Sequence, residues 1–205
     1  MYRFSATLLN QFNTFLNPSP YLELDLFDMF SIINRVPELD PDKLFSMEQG
    51  KAFHECITKA ELKDNVFVCG VYQFSSKLID DIRKYIDIAH CISEQYLELQ
   101  LSDKYKIYGY ADHICRDKIY EIKTTRKYEF PRYLDAIQHN VYMLASGIEN
   151  TEYVITDFKE YYIETYKLNK DFHTNKVLNL CQELEHFIET YKSEIDFEKS
   201  KILNI

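Results

Sequence analysis

The amino-acid sequence predicts a mixed α/β (α+β) fold, with a helical part over residues 1–93, a sheet segment over 94–168 and a C-terminal helix over 169–205. Three observations predict it. The first half carries apolar residues at helical spacing, the middle changes to the two-residue alternation of strands, and the helical period returns between and after the strands. The expected architecture is a central mixed sheet of about five strands flanked by helices.

Ser5 is a candidate N-cap for a short helix striped by Leu8, Leu9, Phe12, Phe15 and Leu16, which Asn17-Pro18-Ser19-Pro20 ends. Asp40-Pro41 supplies a cap and a first-turn proline for a helix to about Leu62. Ser75-Ser76 opens another, whose stripe Ile79, Ile82, Tyr85, Ile86, Ala89 and Ile92 extends it to about residue 92. YLELQL, YKIYGYADHIC and KIYEIKTT then alternate, separated by Ser102-Asp103-Lys104 and Arg116-Asp117, and predict a three-strand antiparallel meander. Pro131 begins a predicted helix that Gly147 ends, TEYVITDF and YYIETYKL are two more strands, and a last helix buries Val177, Leu180, Cys181, Leu184, Phe187 and Ile188.

The 205 residues suit a single domain, 1–205, since domains hold roughly 100–200 residues. With 46% hydrophobic and 28% charged residues and only four glycines and five prolines, the chain has the composition of a soluble globular protein without low-complexity tracts. Cys56, Cys69, Cys91, Cys115 and Cys181 are odd in number and form no C-x-x-C pair, so they read as reduced thiols of a cytosolic protein. The N-terminus, broken by polar residues, has neither a signal-peptide core nor a membrane span. A net charge of −9 argues against a broad nucleic-acid-coating surface. Charge is uneven, however: between Arg116 and Arg132, Arg116, Lys118, Lys123, Arg126, Lys127 and Arg132 face only Asp117, Glu121 and Glu129, a local +3 against −12 elsewhere.

That basic island surrounds YGYADHICRDKIYEIKTT, a strand pair with charges in its interior. If Arg116-Asp117 is a two-residue turn, Ile114 faces Ile119 and Asp112 comes opposite Glu121, with Cβ atoms about 4.5–5.5 Å apart. Lys123 shares the Glu121 face, two residues on. Two carboxylates so placed repel unless a cation lies between them, and Mg²⁺ or Mn²⁺ suits such oxygen donors. The ion would activate a water and stabilise charge on a phosphate, Lys123 would orient that water, and the Ile122 carbonyl is a further candidate ligand. Alternating charge is also what a solvated strand face looks like, so the motif by itself decides nothing.

With their neighbours, these residues resemble the PD-(D/E)xK nuclease superfamily, specifically its RecB-like branch. Gly109 and Asp112 in YGYAD resemble its G-x-x-D strand, Glu121 and Lys123 its (D/E)xK element, and Gln138 and Tyr142 its Q-x-x-x-Y helix. Gly50 and His54 are similar to its G-x-x-x-H helix, and FSATLLNQFNTFL to its opening S-x-x-x-L segment. The resemblance spans most of the chain and implies a restriction-endonuclease-like core. It implies Asp112 and Glu121 as metal ligands, Lys123 as catalytic and His54 as an additional ligand, a residue that reads equally as a core histidine. Gln138, Tyr142, Thr124, Thr125 and Arg126 would contact substrate, or, for Gln138 and Tyr142, support the site. The branch's iron-sulfur cluster is not expected, because Asn17-Pro18 stands at the first cysteine position and only Cys181 lies late in the chain.

The implied activity is a Mg²⁺- or Mn²⁺-dependent DNA nuclease, an exonuclease by analogy, of repair, recombination or phage DNA processing. Its partners would be DNA, a single-strand annealing protein or other recombination protein, and further copies of itself, in the cytoplasm of a bacterium or phage-infected cell and away from membranes. Two alternatives stand beside it: a nuclease-like scaffold, favoured by the acidity, and an RNA nuclease.

Overall fold

The N-terminus forms a short strand rather than a lead-in to a helix. The computed structural model describes residues 1–18, 23–59, 62–63 and 66–203, and in it Tyr2–Ser5 is strand β1, followed by helix α1 (Ala6–Leu16). Ser5 caps α1 as the sequence predicts, its side chain accepting from the Leu8 amide at 3.0 Å. Helix α2 (Leu26–Ile33) is closed by a capping box between Asp25 and Asp28. Helix α3 (Pro41–Thr58) starts on the Asp40 cap and ends before the predicted Leu62, which lies in the short strand β2 (Leu62–Lys63). Residues 60–61 and the Ser19-Pro20 half of the expected break lie outside the described residues.

A hairpin, β3 (Val66–Cys69) and β4 (Tyr72–Ser75), completes a small antiparallel sheet with β2, so the N-terminal part is less helical than expected. Gly70, at φ +58°, makes its turn. Helix α4 (Ser76–Ile86) stops short of the predicted residue 92 because Asp87 takes a left-handed φ of +57° and its amide bonds back to Arg83 and Lys84. Ile92 belongs instead to strand β5 (Ile92–Gln100).

Strands β5, β6 (Tyr105–Ile114) and β7 (Lys118–Thr124) form the expected antiparallel meander. Helix α5 (Gln138–Ser146) begins seven residues after Pro131. The reason is tertiary: the Glu164 carboxylate takes the Arg132 and Tyr133 amides at 2.7 and 2.9 Å, and Asn10 Oδ1 takes the Ile137 amide at 2.8 Å. Strands β8 (Asn150–Thr156) and β9 (Tyr161–Lys167) follow, then helices α6 (Lys170–Thr190) and α7 (Phe197–Ser200).

The main sheet is mixed and has six strands, one more than expected, in the order β1-β6-β7-β8-β9 with β5 also on β6. The extra strand is β1, parallel to β6, and β8 runs parallel to β7 through α5. Helices α1, α5 and α6 bury one face through Leu9, Phe12, Val141, Tyr142, Leu184 and Ile188. Helices α3 and α4 and the hairpin bury the other over β7 and β8, with Phe53, Ile57, Ile79 and Ile82 against Ile122 and Val154. Cys91 and Cys115, one step beyond the Ile92–Ile114 pair and 4.4 Å apart at Cα, are joined as a disulfide, which corrects the expectation of five thiols. Cys56, Cys69 and Cys181 are free. Among the described residues no helix is long and apolar enough to cross a membrane.

His139 packs inside the first core, stacked on Tyr166 at 4.5 Å, with Nδ1 3.2 Å from the Tyr153 hydroxyl. Burial, then the Lys176 and His173 charges, hold its pKa down to about 3. Because the folded value lies below the unfolded one of about 6.5, its contribution is intact above pH 6.5 and is lost as pH falls towards 3, at about 1.4 kcal/mol per pH unit. Between pH 6.5 and 4.5 the pH dependence of urea unfolding is expected to be shallower in His139→Phe than in wild type by up to that slope, since His54, His113 and Glu121 contribute to both. An unchanged slope in the variant would assign the acid sensitivity elsewhere.

Candidate active site

The site begins where the β6–β7 ladder ends. The observed pairs are Ile114–Ile119 and His113–Tyr120, the register set by an Arg116-Asp117 turn, and Asp112 and Glu121 stand one step further. There the side chains take over from the backbone. The Ile122 amide donates to Asp112 Oδ2 at 2.7 Å, and the Asp112 amide donates to Glu121 Oε1 at 3.2 Å.

The β5–β6 ribbon also turns over at this level. Leu97, Leu99, Ile107 and Ala111 pack on the first core, whereas Cys91 and Cys115, of the same parity, pack on the second. Alternation in a regular strand forbids that. The reversal falls between the Ser93–His113 and Gln95–Ala111 pairs, where Glu94 adopts a left-handed φ of +53° opposite Asp112.

Asp112, Glu121 and Lys123 are thereby gathered, as the sequence register places them. Lys123 Nζ lies 3.0 Å from Glu121 Oε2 and 5.9 Å from the centre of the Tyr153 ring. Glu121 is 1% exposed, and burial followed by the Asp112 charge pushes its pKa up to about 7. Burial raises Asp112 as well, against the pull of Lys123. Lys123 is pulled down by burial, but the two carboxylates outweigh this and keep it charged. His54 Nδ1 stands 3.6 Å from Asp112 Oδ1, and burial, then the Lys123 charge, lower its pKa to about 4, so near neutrality it offers a lone pair rather than a charge.

Helices α3 and α5 reach the site through two close approaches. A Cβ on Gly109 would lie 2.7 Å from Tyr142 Cε1 and 2.9 Å from its hydroxyl. The buried Tyr142 phenol occupies that space, close to the Gln138 side chain and the Tyr110 backbone. Tyr142 is therefore buried against β6, whereas Gln138, one turn away on α5, is only half-buried. On the other side a Cβ on Gly50 would lie 3.2 Å from Thr124 Oγ1, so this glycine lets α3 approach the end of β7.

A cleft of about 660 Å³ runs along α3 and is lined by Gly50, Lys51, His54, Lys59, Glu94 and Thr124. The Thr125 hydroxyl donates to the Lys127 carbonyl at 2.8 Å, Arg126 Nη2 is 3.5 Å from Ser46 Oγ on α3, and both residues line a smaller cavity of about 160 Å³ with Thr124. Of the predicted substrate contacts, only Thr124 lines the cleft. Glu94 was not singled out from sequence, although extending the β5–β6 register places it opposite Asp112.

Among the described residues, no three His, Cys, Asp or Glu side chains are close enough to form a complete metal cage. Mg²⁺ and Mn²⁺ need none, since they are commonly held by one or two carboxylates with water and substrate oxygens. Two adjacent carboxylates of raised pKa, sharing one lysine, with a neutral imidazole beside them, fit such an ion.

No family model matches the chain, and no curated protein sequence matches it. Solved structures do. The crystal structure of SSO0001 aligns with 89% of this chain and 76% of its own, at 15% identity and a TM-score of 0.51. A provisionally named exonuclease of Eubacterium rectale aligns over 95% of this chain and 83% of its own, at 12% identity and a TM-score of 0.53. The fold, a central mixed sheet flanked by helices, is shared with these two structures. LHK-Exo in complex with dAMP aligns over 93% of each chain at 11% identity and a TM-score of 0.45, a likeness too slight to carry argument. At these identities the likeness concerns the fold alone.

Gly109→Ala tests the packing beneath the site. The ring it would strike is buried, so the substitution is expected to cost about 1–3 kcal/mol in denaturant unfolding. Wild-type stability would show that Tyr142 can move aside.

Proposed function

We propose that the chain is a Mg²⁺- or Mn²⁺-dependent deoxyribonuclease of the RecB-like branch, cutting phosphodiester bonds as an exonuclease. The observation that supports it is the contact set of Asp112, Glu121 and Lys123: a buried and a half-buried carboxylate, both of raised pKa and each bound to the other's strand, with the lysine 3.0 Å from Glu121. The exonuclease part rests on the name of the Eubacterium rectale neighbour.

Asp112, Glu121 and the Ile122 carbonyl would hold the ion, with water and substrate oxygens completing its shell, and His54, 3.6 Å from Asp112, would stand beside them as an additional donor. The bound ion supplies charge neutralisation and an acidified water. The protein's own groups do the rest. Lys123, fixed on Glu121, presents an ammonium to the attacking water and to charge growing on the phosphate, a preorganised donor that need not be recruited during reaction. The Ile122 amide fixes the Asp112 carboxylate, and Tyr142 fixes the strand behind it. His54, neutral, adds a donor without adding charge.

Purified protein is expected to degrade linear DNA with Mg²⁺ or Mn²⁺ and to be inert in EDTA. Asp112→Ala and Lys123→Ala should each lose about 10²–10³-fold or more. No cleavage by wild type, or equal cleavage by the variants, would sink the proposal, and the same assay on RNA decides between nucleic acids. Mg²⁺ or Mn²⁺ should raise the melting temperature of wild type but not of Glu121→Ala. Equal shifts would locate the ion elsewhere.

A further inference from the structure

The half of the sheet that α3 and α4 leave uncovered carries a strip of tyrosines and arginines that runs into the site. On β6, Lys106, Tyr108 and Tyr110 alternate with Ile107 and Ala111, which belong to the first core, so the first three face away from it. Glu98 and Tyr96 of β5 lie opposite Tyr108 and Tyr110, and Arg3 and Ser5 of β1 lie beside Lys106 and Tyr108. The next pair in that register is Glu94 and Asp112, at the mouth of the cleft.

Two of the rings are exposed, the third is half-buried, and the three lie side by side. Tyr110 is 60% and Tyr96 is 37% exposed, edge to face at 5.4 Å. Tyr96 lies 6.4 Å from Tyr108, whose outer face is covered by the Arg3 guanidinium at 3.9 Å. Arg35 reaches the Tyr108 hydroxyl at 3.4 Å, and Arg3 the Tyr96 hydroxyl at 3.3 Å. Among the described residues, neither guanidinium has a carboxylate at ion-pair distance, and both border a small cavity of about 250 Å³. The carboxylate of the strip, Glu98, is already paired with Lys106 at 2.8 Å and bonded by the Tyr96 hydroxyl.

A core has no use for exposed rings in a row, and a protein partner would leave two cations to be matched. Unpaired nucleobases supply flat faces for the rings, and their phosphates supply the anions; in duplex DNA those faces are hidden in the stack. From Tyr108 to Asp112 the strand advances about 13 Å, so the strip can order a strand before it reaches the carboxylates. We infer that this face is a stacking platform for single-stranded DNA feeding the Asp112 site. The inference rests on the nuclease reading for the identity of the polynucleotide, and it makes the single strand the form of substrate engaged.

Fluorescence anisotropy in EDTA, with a labelled oligothymidylate and a blunt hairpin duplex as probes, separates the two. Tyr110→Ala is expected to weaken oligothymidylate binding roughly tenfold, since stacking contributes about 1–3 kcal/mol per base. Tyr110→Phe should bind within about twofold of wild type, and hairpin affinity should not change with either. Arg35→Gln should flatten the salt dependence of oligothymidylate binding by about 0.7 in log–log slope. Wild type that ignores the single strand, Tyr110→Ala that binds it normally, or an equal loss on the hairpin would overturn the platform. Oligothymidylate binding that follows these expectations in a protein that never cleaves would retain the platform and retire the nuclease. Cleavage with unaltered Tyr110→Ala binding would do the reverse.

Discussion

Everything at the candidate site depends on one replacement in the hydrogen bonding of the sheet: the Ile122 amide goes to the Asp112 side chain instead of to the neighbouring strand's backbone. In a continued antiparallel ladder that amide would meet a carbonyl. The carboxylate keeps the amide satisfied while the ladder ends, and the Asp112 amide is satisfied in turn by Glu121. Two carboxylates are thereby drawn between the strands, where leaving water is expensive and burial raises both pKa values. Lys123 offsets part of that charge. A divalent cation would offset the rest, which makes its binding a property of the strand geometry rather than of an added loop.

The two glycines of the site act at the same level of description. Gly109 and Gly50 are not needed for left-handed turns; each removes a side chain so that a helix or a ring can come within contact of the strand beside the carboxylates. Tyr142 supports β6 from one face and α3 closes on β7 from the other. The carboxylates are therefore held from both faces of the sheet, as preorganised electrostatics require.

The meander, the Arg116-Asp117 register and the α1 cap were legible because each is local: a turn, an alternation, a side chain three residues from its amide. Strand β1 was not, since four residues carry little periodicity and their partner lies about a hundred positions away on β6. The late start of α5 was hidden for a similar reason, its missing turn being captured by Glu164 and Asn10 from distant elements. The Cys91–Cys115 disulfide and the placing of Glu94 opposite Asp112 follow from one register sum on β5 and β6, so both were available to a reading that carried the hairpin to its far end. The hairpin at 66–75 was also available, as an apolar alternation around Gly70. Of the residues read as phosphate contacts, Thr125 and Arg126 line a smaller cavity with Thr124 and Ser46 because the chain turns from β7 towards α3 at that point, which no spacing in the sequence reveals.

The acidity of the chain bears on how such a site could hold a polyanion. A net charge of −9 works against long-range attraction, so affinity would have to come from short-range contacts. The open half of the sheet offers these: arginines that have no carboxylate partner among the described residues, the exposed rings of Tyr96 and Tyr110, and beyond them a carboxylate pair that attracts phosphate only when a cation is bound. Metal-free protein would then hold the strand by stacking and by its arginines, while the metal would add attraction only at the scissile position. Binding and cutting would thus be separable by design of the charge distribution, with duplex DNA, rich in phosphate but closed to stacking, disfavoured by the same acidity that leaves the single strand acceptable.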